Sequence, residues 1–156
     1  MAVHLSESRT VPVTPDDAFA RTMPMPLAEL FTSRSGPIPP VREIREQPAT
    51  WDTVGQSRVI VLSDGGTMRE TLTTVDRPRS FGYDIADFTG PFKLLVDSLA
   101  GRWAFEPDGD GCRVTWSWTV QPRGLQGRLA MPIIGRFWHG YARNALARLE
   151  SNLART

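Results

Sequence analysis

Three side chains in this sequence could move a proton inside an apolar enclosure: Glu70, Tyr83 and His139. Glu70 alternates with Met68, Leu72 and Thr74, so a strand that turns Met68 and Leu72 inward turns a carboxyl inward with them. An inward carboxyl is costly unless it meets water or a cation, and desolvation raises its pKa toward general acid or base duty. With Tyr83 or a near-neutral His139 in reach it would form a proton-transfer pair suited to enolisation, aldol cyclisation or dehydration. A second reading makes Glu70 half of a structural ion pair with Arg58 on a neighbouring strand, near a cavity mouth. Structural pairs are the commoner cause of such placements. His139 falls about 100 degrees from Trp138 on a helical wheel, on the flank of an apolar face, which favours a semi-exposed histidine over a catalytic one. Asp97 interrupts an apolar run and is either inward like Glu70 or turned outward by a bulge. Cys112 follows a turn, has no histidine or acid partner in sequence, and reads as a strand-start cysteine rather than a nucleophile.

The elements that must position these residues are legible in order. Residues 3–12 alternate, with Val3, Leu5 and Val11 on one parity, and predict an opening strand that is irregular near Ser8 to Thr10. Thr14-Pro15-Asp16-Asp17 supplies a hydroxyl cap, a proline at the first helical position and two acids on the positive end of the helix dipole. A short helix should follow through Phe19 to Met23. Pro24 and Pro26 break it, Leu27 to Phe31 makes a second short helix, and the run TSRSGPIPP ends helix formation. From residue 40 to 121, short alternating runs separated by turn residues predict an antiparallel meander of six strands. They lie near Val41 to Gln47, Gln56 to Ser63, Thr67 to Val75, Phe81 to Ala86, Leu94 to Glu106 and Cys112 to Gln121. Asp64-Gly65-Gly66, Asp76-Arg77-Pro78 and the run Pro107 to Gly111 supply the tight turns. After Pro122, Ile134, Trp138, Tyr141, Ala145, Leu149 and Leu153 recur at three- and four-residue spacing and predict a long closing helix. Pro132 makes residues 124–131 either a separate turn or a kinked lead-in.

Composition removes several function classes. The 18 basic and 17 acidic residues leave a net charge of +1, without the basic excess that holds a polyphosphate, so nucleic acid is not an expected partner. One cysteine and two histidines make neither an internal disulfide nor a zinc cluster, and suit a reducing compartment. The opening MAVHLSESRTVPV lacks the pattern of an export signal, and the least charged stretches fall well short of the ~20 residues that span a bilayer. The expectation is a cytoplasmic protein with no integral membrane segment. No GxxxxGK[ST] loop, GxGxxG turn, HExxH helix or GxSxG elbow occurs, so no nucleotide, zinc or other cofactor is expected. A chain of 156 residues makes one domain, 1–156, that buries roughly 70% of its unfolded surface.

The order strand, two short helices, six strands, long helix describes an α+β chain in which a curved seven-stranded antiparallel sheet wraps one amphipathic helix. Its pieces are Thr14-Pro15-Asp16-Asp17-Ala18-Phe19, Trp51 ahead of Val54-Gly55-Gln56-Ser57-Arg58, and Glu70-Thr71-Leu72 with Asp76-Arg77-Pro78. Further on come Tyr83-Asp84-Ile85, Trp103-Ala104-Phe105-Glu106-Pro107 and Cys112-Arg113-Val114-Thr115-Trp116. In this order and spacing they resemble the polyketide cyclase and lipid-transport branch of the START-like (SRPBCC) superfamily, the helix-grip fold of the birch-pollen allergens, over nearly the whole chain. The resemblance implies a deep apolar cavity between sheet and helix. It does not specify an activity, and the cysteine and histidine pairs of the superfamily's iron–sulfur oxygenases are missing.

Alternation nominates the cavity lining. Trp116 and Trp118 share a face, as do Leu99, Trp103 and Phe105, then Phe81 and Tyr83, while the helix contributes Ile134, Trp138 and Tyr141. Met68, Leu72, Glu70 and Arg58 complete the set. These side chains either line a cavity or simply fill a core. The leading expectation is a binding protein, monomer or homodimer, that encloses a small to medium hydrophobic or aromatic molecule such as a lipid, steroid or polyketide, oriented by Glu70, Tyr83 and Arg58. Residues 32–40 and 87–93 read as flexible segments at its entrance. The competing readings are a cofactor-independent cyclase or dehydratase using Glu70, Tyr83 and His139, and an interaction module whose outer surface does the work.

Overall fold

The computed structural model describes residues 2–155. Strand β1 (Val3–Val11) leads to helices α1 (Pro15–Thr22) and α2 (Leu27–Leu30). The meander β2 (Val41–Arg45), β3 (Ser57–Leu62), β4 (Thr67–Asp76), β5 (Ser80–Ala86), β6 (Val96–Asp108) and β7 (Gly111–Pro122) follows, and α3 (Gly124–Ala154) closes the chain. One antiparallel sheet runs in the order β1-β7-β6-β5-β4-β3-β2, so the first strand pairs with the last. This is the helix-grip arrangement that the sequence implied.

Local chemistry accounts for the joints. The Thr14 hydroxyl accepts a hydrogen bond from the Asp17 amide at 3.2 Å, and Pro15 opens α1. Helix α1 buries Ala18 and Phe19 against the sheet. Its Arg21 reaches the far end of α3, donating to the carbonyls of Asn152 at 3.0 Å, Leu153 at 3.1 Å and Arg155 at 2.8 Å, and so satisfies orphan groups at that terminus. On α3, Ile134, Trp138, Tyr141, Ala145 and Leu149 face the sheet, and Ala142 and Ala145 are small enough for a close approach.

Several details decide between the sequence expectations or differ from them. Helix α3 is continuous from Gly124, with Pro132 inside it and exposed, so residues 124–131 are a lead-in to the helix and not a separate turn. The proline forgoes one backbone bond on the exposed side of the helix. Strand β6 starts at Val96 rather than Leu94, because Pro91–Leu94 forms a 3-10 turn. A register irregularity between Val96 and Ser98 carries Asp97 outward, where Arg123 meets it at 2.8 Å, so the bulge alternative holds. Residues 32–40, expected to be flexible, are fastened instead. Ser35 Oγ donates to the Phe137 carbonyl at 2.6 Å, Tyr141 Oη donates to the Pro39 carbonyl at 3.1 Å, and Ser35 and Ile38 exchange backbone bonds. Gly36, at φ +56, lies so close to the Phe137 ring that a side chain there would overlap it.

Candidate functional site

A cavity of about 70 Å³ lies between the concave face of the sheet and α3. Its wall is almost wholly apolar. Strands β3 and β4 bring Arg58, Met68 and Glu70 to it, β5 brings Phe81 and Tyr83, and α3 brings Ile134 and Tyr141. Leu99 and Trp103 of β6 and Trp116 and Trp118 of β7 complete the part of the wall that alternation nominated.

Four nominated residues stand elsewhere. Leu72 is fully buried, but on β4 it lies outside the wall. Phe105 packs edge-on against Phe19 at 5.4 Å, outside the cavity. Trp138 stands behind Trp116, ring centres 5.1 Å apart, and fills core. His139 turns away from the enclosure and its Nδ1 meets Glu7 Oε2 of β1 at 2.6 Å. The structure therefore brings Glu70 and Tyr83 together and leaves His139 apart, as its flanking position on the helical wheel favoured.

Arg58 and Glu70 are directly opposite one another in the β3–β4 register. Arg58 Nε donates to Glu70 Oε1 at 2.6 Å, and each residue is only 4% exposed. The guanidinium is held from two further sides. Its Nη1 donates to Gln47 Oε1 at 3.2 Å, and its carbon lies 4.0 Å from the Trp51 ring centre, a cation–π contact. Burial pushes the Glu70 carboxyl above its ordinary value, while the Arg58 charge and hydrogen bond work in the opposite direction. Both alternatives for Glu70 thus meet in one place: it is ion-paired with Arg58, and it faces the cavity.

Tyr83 owes its position to a missing side chain. It sits opposite Gly101 on β6, and a Cβ at that residue would fall within the phenol ring. Laid across the glycine, the ring brings its hydroxyl to β7, where Trp116 Nε1 donates to it at 2.7 Å. Trp118 Nε1 is close to the same oxygen but is buried without a well-formed bond. Burial holds the phenol well above its usual pKa, so the hydroxyl keeps its proton. A phenol that accepts from an indole still has that proton to donate.

Trp116 is also the centre of the packing that narrows the cavity. Its ring stacks on Trp103 at 5.5 Å and meets Phe31 at 5.0 Å, and Phe31 stacks on Tyr141 at 5.3 Å. Sequence reasoning missed the contribution of the α1–α2 region, where Thr22, Met23, Leu30 and Phe31 reach the wall. Prolines interrupt that stretch and leave no periodicity to read. The Thr22 hydroxyl is buried with no hydrogen-bond partner among the described residues.

Comparison with known proteins agrees with this architecture. No curated protein sequence matches the chain. Among solved structures, ginseng major latex-like protein 151 from Panax ginseng superposes with a TM-score of 0.70 at 13% identity, covering 97% of both chains. Ara h 8.0201 superposes at 0.67 with 15% identity over the whole of both chains. XoxI from Bacillus cereus gives 0.67 at 15% identity, covering 98% of this chain and 96% of its own. At such identities the likeness speaks to fold alone, but the sequence itself matches the model of one family across residues 2–154, from the first strand to the end of the cavity-closing helix. The chain belongs to the polyketide cyclase / dehydrase and lipid transport family.

Proposed function

We propose that this protein binds a small, largely apolar or aromatic molecule, of lipid, steroid or polyketide character, in the cavity between sheet and α3. The observation that carries the proposal is an apolar enclosure whose wall holds a buried ion pair and a proton-bearing phenol. Apolar burial supplies affinity at about 25 cal/mol per Å², and the few polar groups supply orientation. Tyr83 Oη donates to an oxygen of the ligand. At about 30 Å³ of liquid volume for each water, the open space of about 70 Å³ holds roughly two waters, less than the room a single ring takes. A larger ligand displaces the flexible Met23 and Met68 side chains of the wall.

The test is native mass spectrometry of the protein after exposure to its host's lysate, with extraction and identification of any retained molecule, followed by titration of that molecule against Trp118→Leu and Tyr83→Phe. Retention with weakened binding by both variants supports the proposal. Unchanged affinity in both, with the fold intact, overturns the lining.

A second reading, proton transfer by a cofactor-independent cyclase or dehydratase, is favoured by one observation: Glu70 and Tyr83 share the wall of the same enclosure. Glu70→Gln should then abolish turnover of the retained molecule while leaving its binding almost intact. Equal turnover removes Glu70 from the chemistry.

A further inference from the structure

The side of α3 that faces away from the sheet ought to be polar, and over its first half it is not. Leu125, Leu129 and Ile133 are 66%, 69% and 60% exposed. Spaced four residues apart, they form one stripe about 12 Å long, given a rise of 1.5 Å per residue. Leu94, 66% exposed, adjoins its beginning, because Gln126 Nε2 donates to the Leu94 carbonyl at 3.2 Å. Four large apolar side chains from two elements thus stand in solvent together, whereas scattered single ones would need no explanation.

The charges around the stripe select its partner. From Arg123 to Arg148 the chain holds five arginines and no acidic residue; Asp97 pairs with Arg123 and Glu7 lies 3.6 Å from Arg143, which leaves Arg128, Arg136 and Arg148 without an ion pair among the described residues. Arg128 and Arg136, both exposed, flank the leucines and carry no ion pair among the described residues. A second copy of the chain using the same face would set these arginines against themselves. An anionic lipid surface satisfies both parts at once, taking the leucines below its headgroups and the guanidinium groups among its phosphates. No helix of the described residues is long and apolar enough to cross a membrane, so the contact is peripheral.

We propose that the solvent face of the first half of α3, with Leu94, docks the protein on anionic membranes. Phe92 of the 3-10 turn lines the cavity and is two residues from Leu94, so docking brings that turn to the lipid surface. The inference does not depend on what the cavity holds, since sedimentation with vesicles reads where the protein is and not what it encloses.

The experiment is co-sedimentation of the full chain with vesicles of phosphatidylcholine alone and of phosphatidylcholine mixed with phosphatidylglycerol, at low and high salt, alongside light scattering of the free protein. Binding to the mixed vesicles that salt weakens is the expected result. Leu129→Ser should weaken it by about tenfold, and Arg128→Ala or Arg136→Ala by about fivefold each. All three positions are exposed, and unchanged tryptophan fluorescence would verify the folds. Absence of binding to the mixed vesicles, or equal binding by Leu129→Ser, overturns the proposal. So does a dimer of the free protein that Leu129→Ser dissociates without any vesicle binding, which would assign the stripe to a second copy.

Discussion

Replacing the Arg58–Glu70 pair one residue at a time and then together separates a structural from a functional reason for its presence. At contact distance the two charges attract by about 4 kcal/mol if the effective dielectric constant is near 20. Withdrawing both from water costs several kcal/mol per ion, so the intact pair contributes close to nothing net. With Nε and Oε1 at 2.6 Å and both residues 4% exposed, removal of one partner leaves the other stranded. Arg58→Met and Glu70→Leu should therefore each destabilise the fold by about 3–5 kcal/mol. The double variant, which fills the same volume with apolar atoms, should be as stable as the parent or more so by about 1–4 kcal/mol. Urea unfolding followed by tryptophan fluorescence measures all four proteins, and ligand titration of the double variant completes the comparison. A stable double variant that no longer binds ligand assigns the pair to the site. If the double variant is as unstable as the single ones, the pair is a packing requirement, and the reasoning from desolvation is refuted.

Three further predictions come from the same wall. Burial raises the Glu70 pKa above its ordinary 4.5, so the folded chain holds this proton more tightly than the unfolded one. Its contribution is then full below 4.5 and is lost as pH rises through the folded value, so the stability of the parent relative to the double variant should decline from acid pH toward neutrality in urea titrations. Gly101→Ala should cost about 1–3 kcal/mol by driving the Tyr83 ring off the strand, and the broken Trp116–Tyr83 bond should shift the fluorescence maximum; an unchanged spectrum would contradict the close approach. Thr22→Val removes a buried hydroxyl that has no partner among the described residues, so thermal unfolding should show a gain of about 1–3 kcal/mol, while a ligand that uses that hydroxyl should bind more weakly.

How much of this was legible in the sequence depends on the range of the forces that place each residue. Strand parity is local: once Met68 and Ile85 are inward, Glu70 and Tyr83 share their faces, and the antiparallel register brings Arg58 opposite Glu70. Capping and turn residues are equally local, and Thr14-Pro15 and Asp64-Gly65-Gly66 stand where their chemistry predicts. What parity cannot give is depth. Leu72, Phe105 and Trp138 are buried like their neighbours, yet they lie outside the cavity wall, and only the packing of α1, α2 and α3 onto the sheet decides that.

The glycine at 101 joins the two scales. A glycine inside a strand often marks a close approach by another group, and here the approaching group is the phenol that places its hydroxyl beside two indoles. That makes Gly101 a positioning residue for the site, though it has no chemistry of its own. A list of titratable side chains passes over it. The stripe on α3 is the converse case. Leu125, Leu129 and Ile133 have helical spacing of their own, and they lie on the side of the wheel opposite Ile134 and Trp138. A helix that is apolar on both sides over its first half has two surfaces to cover, and the sheet covers one of them.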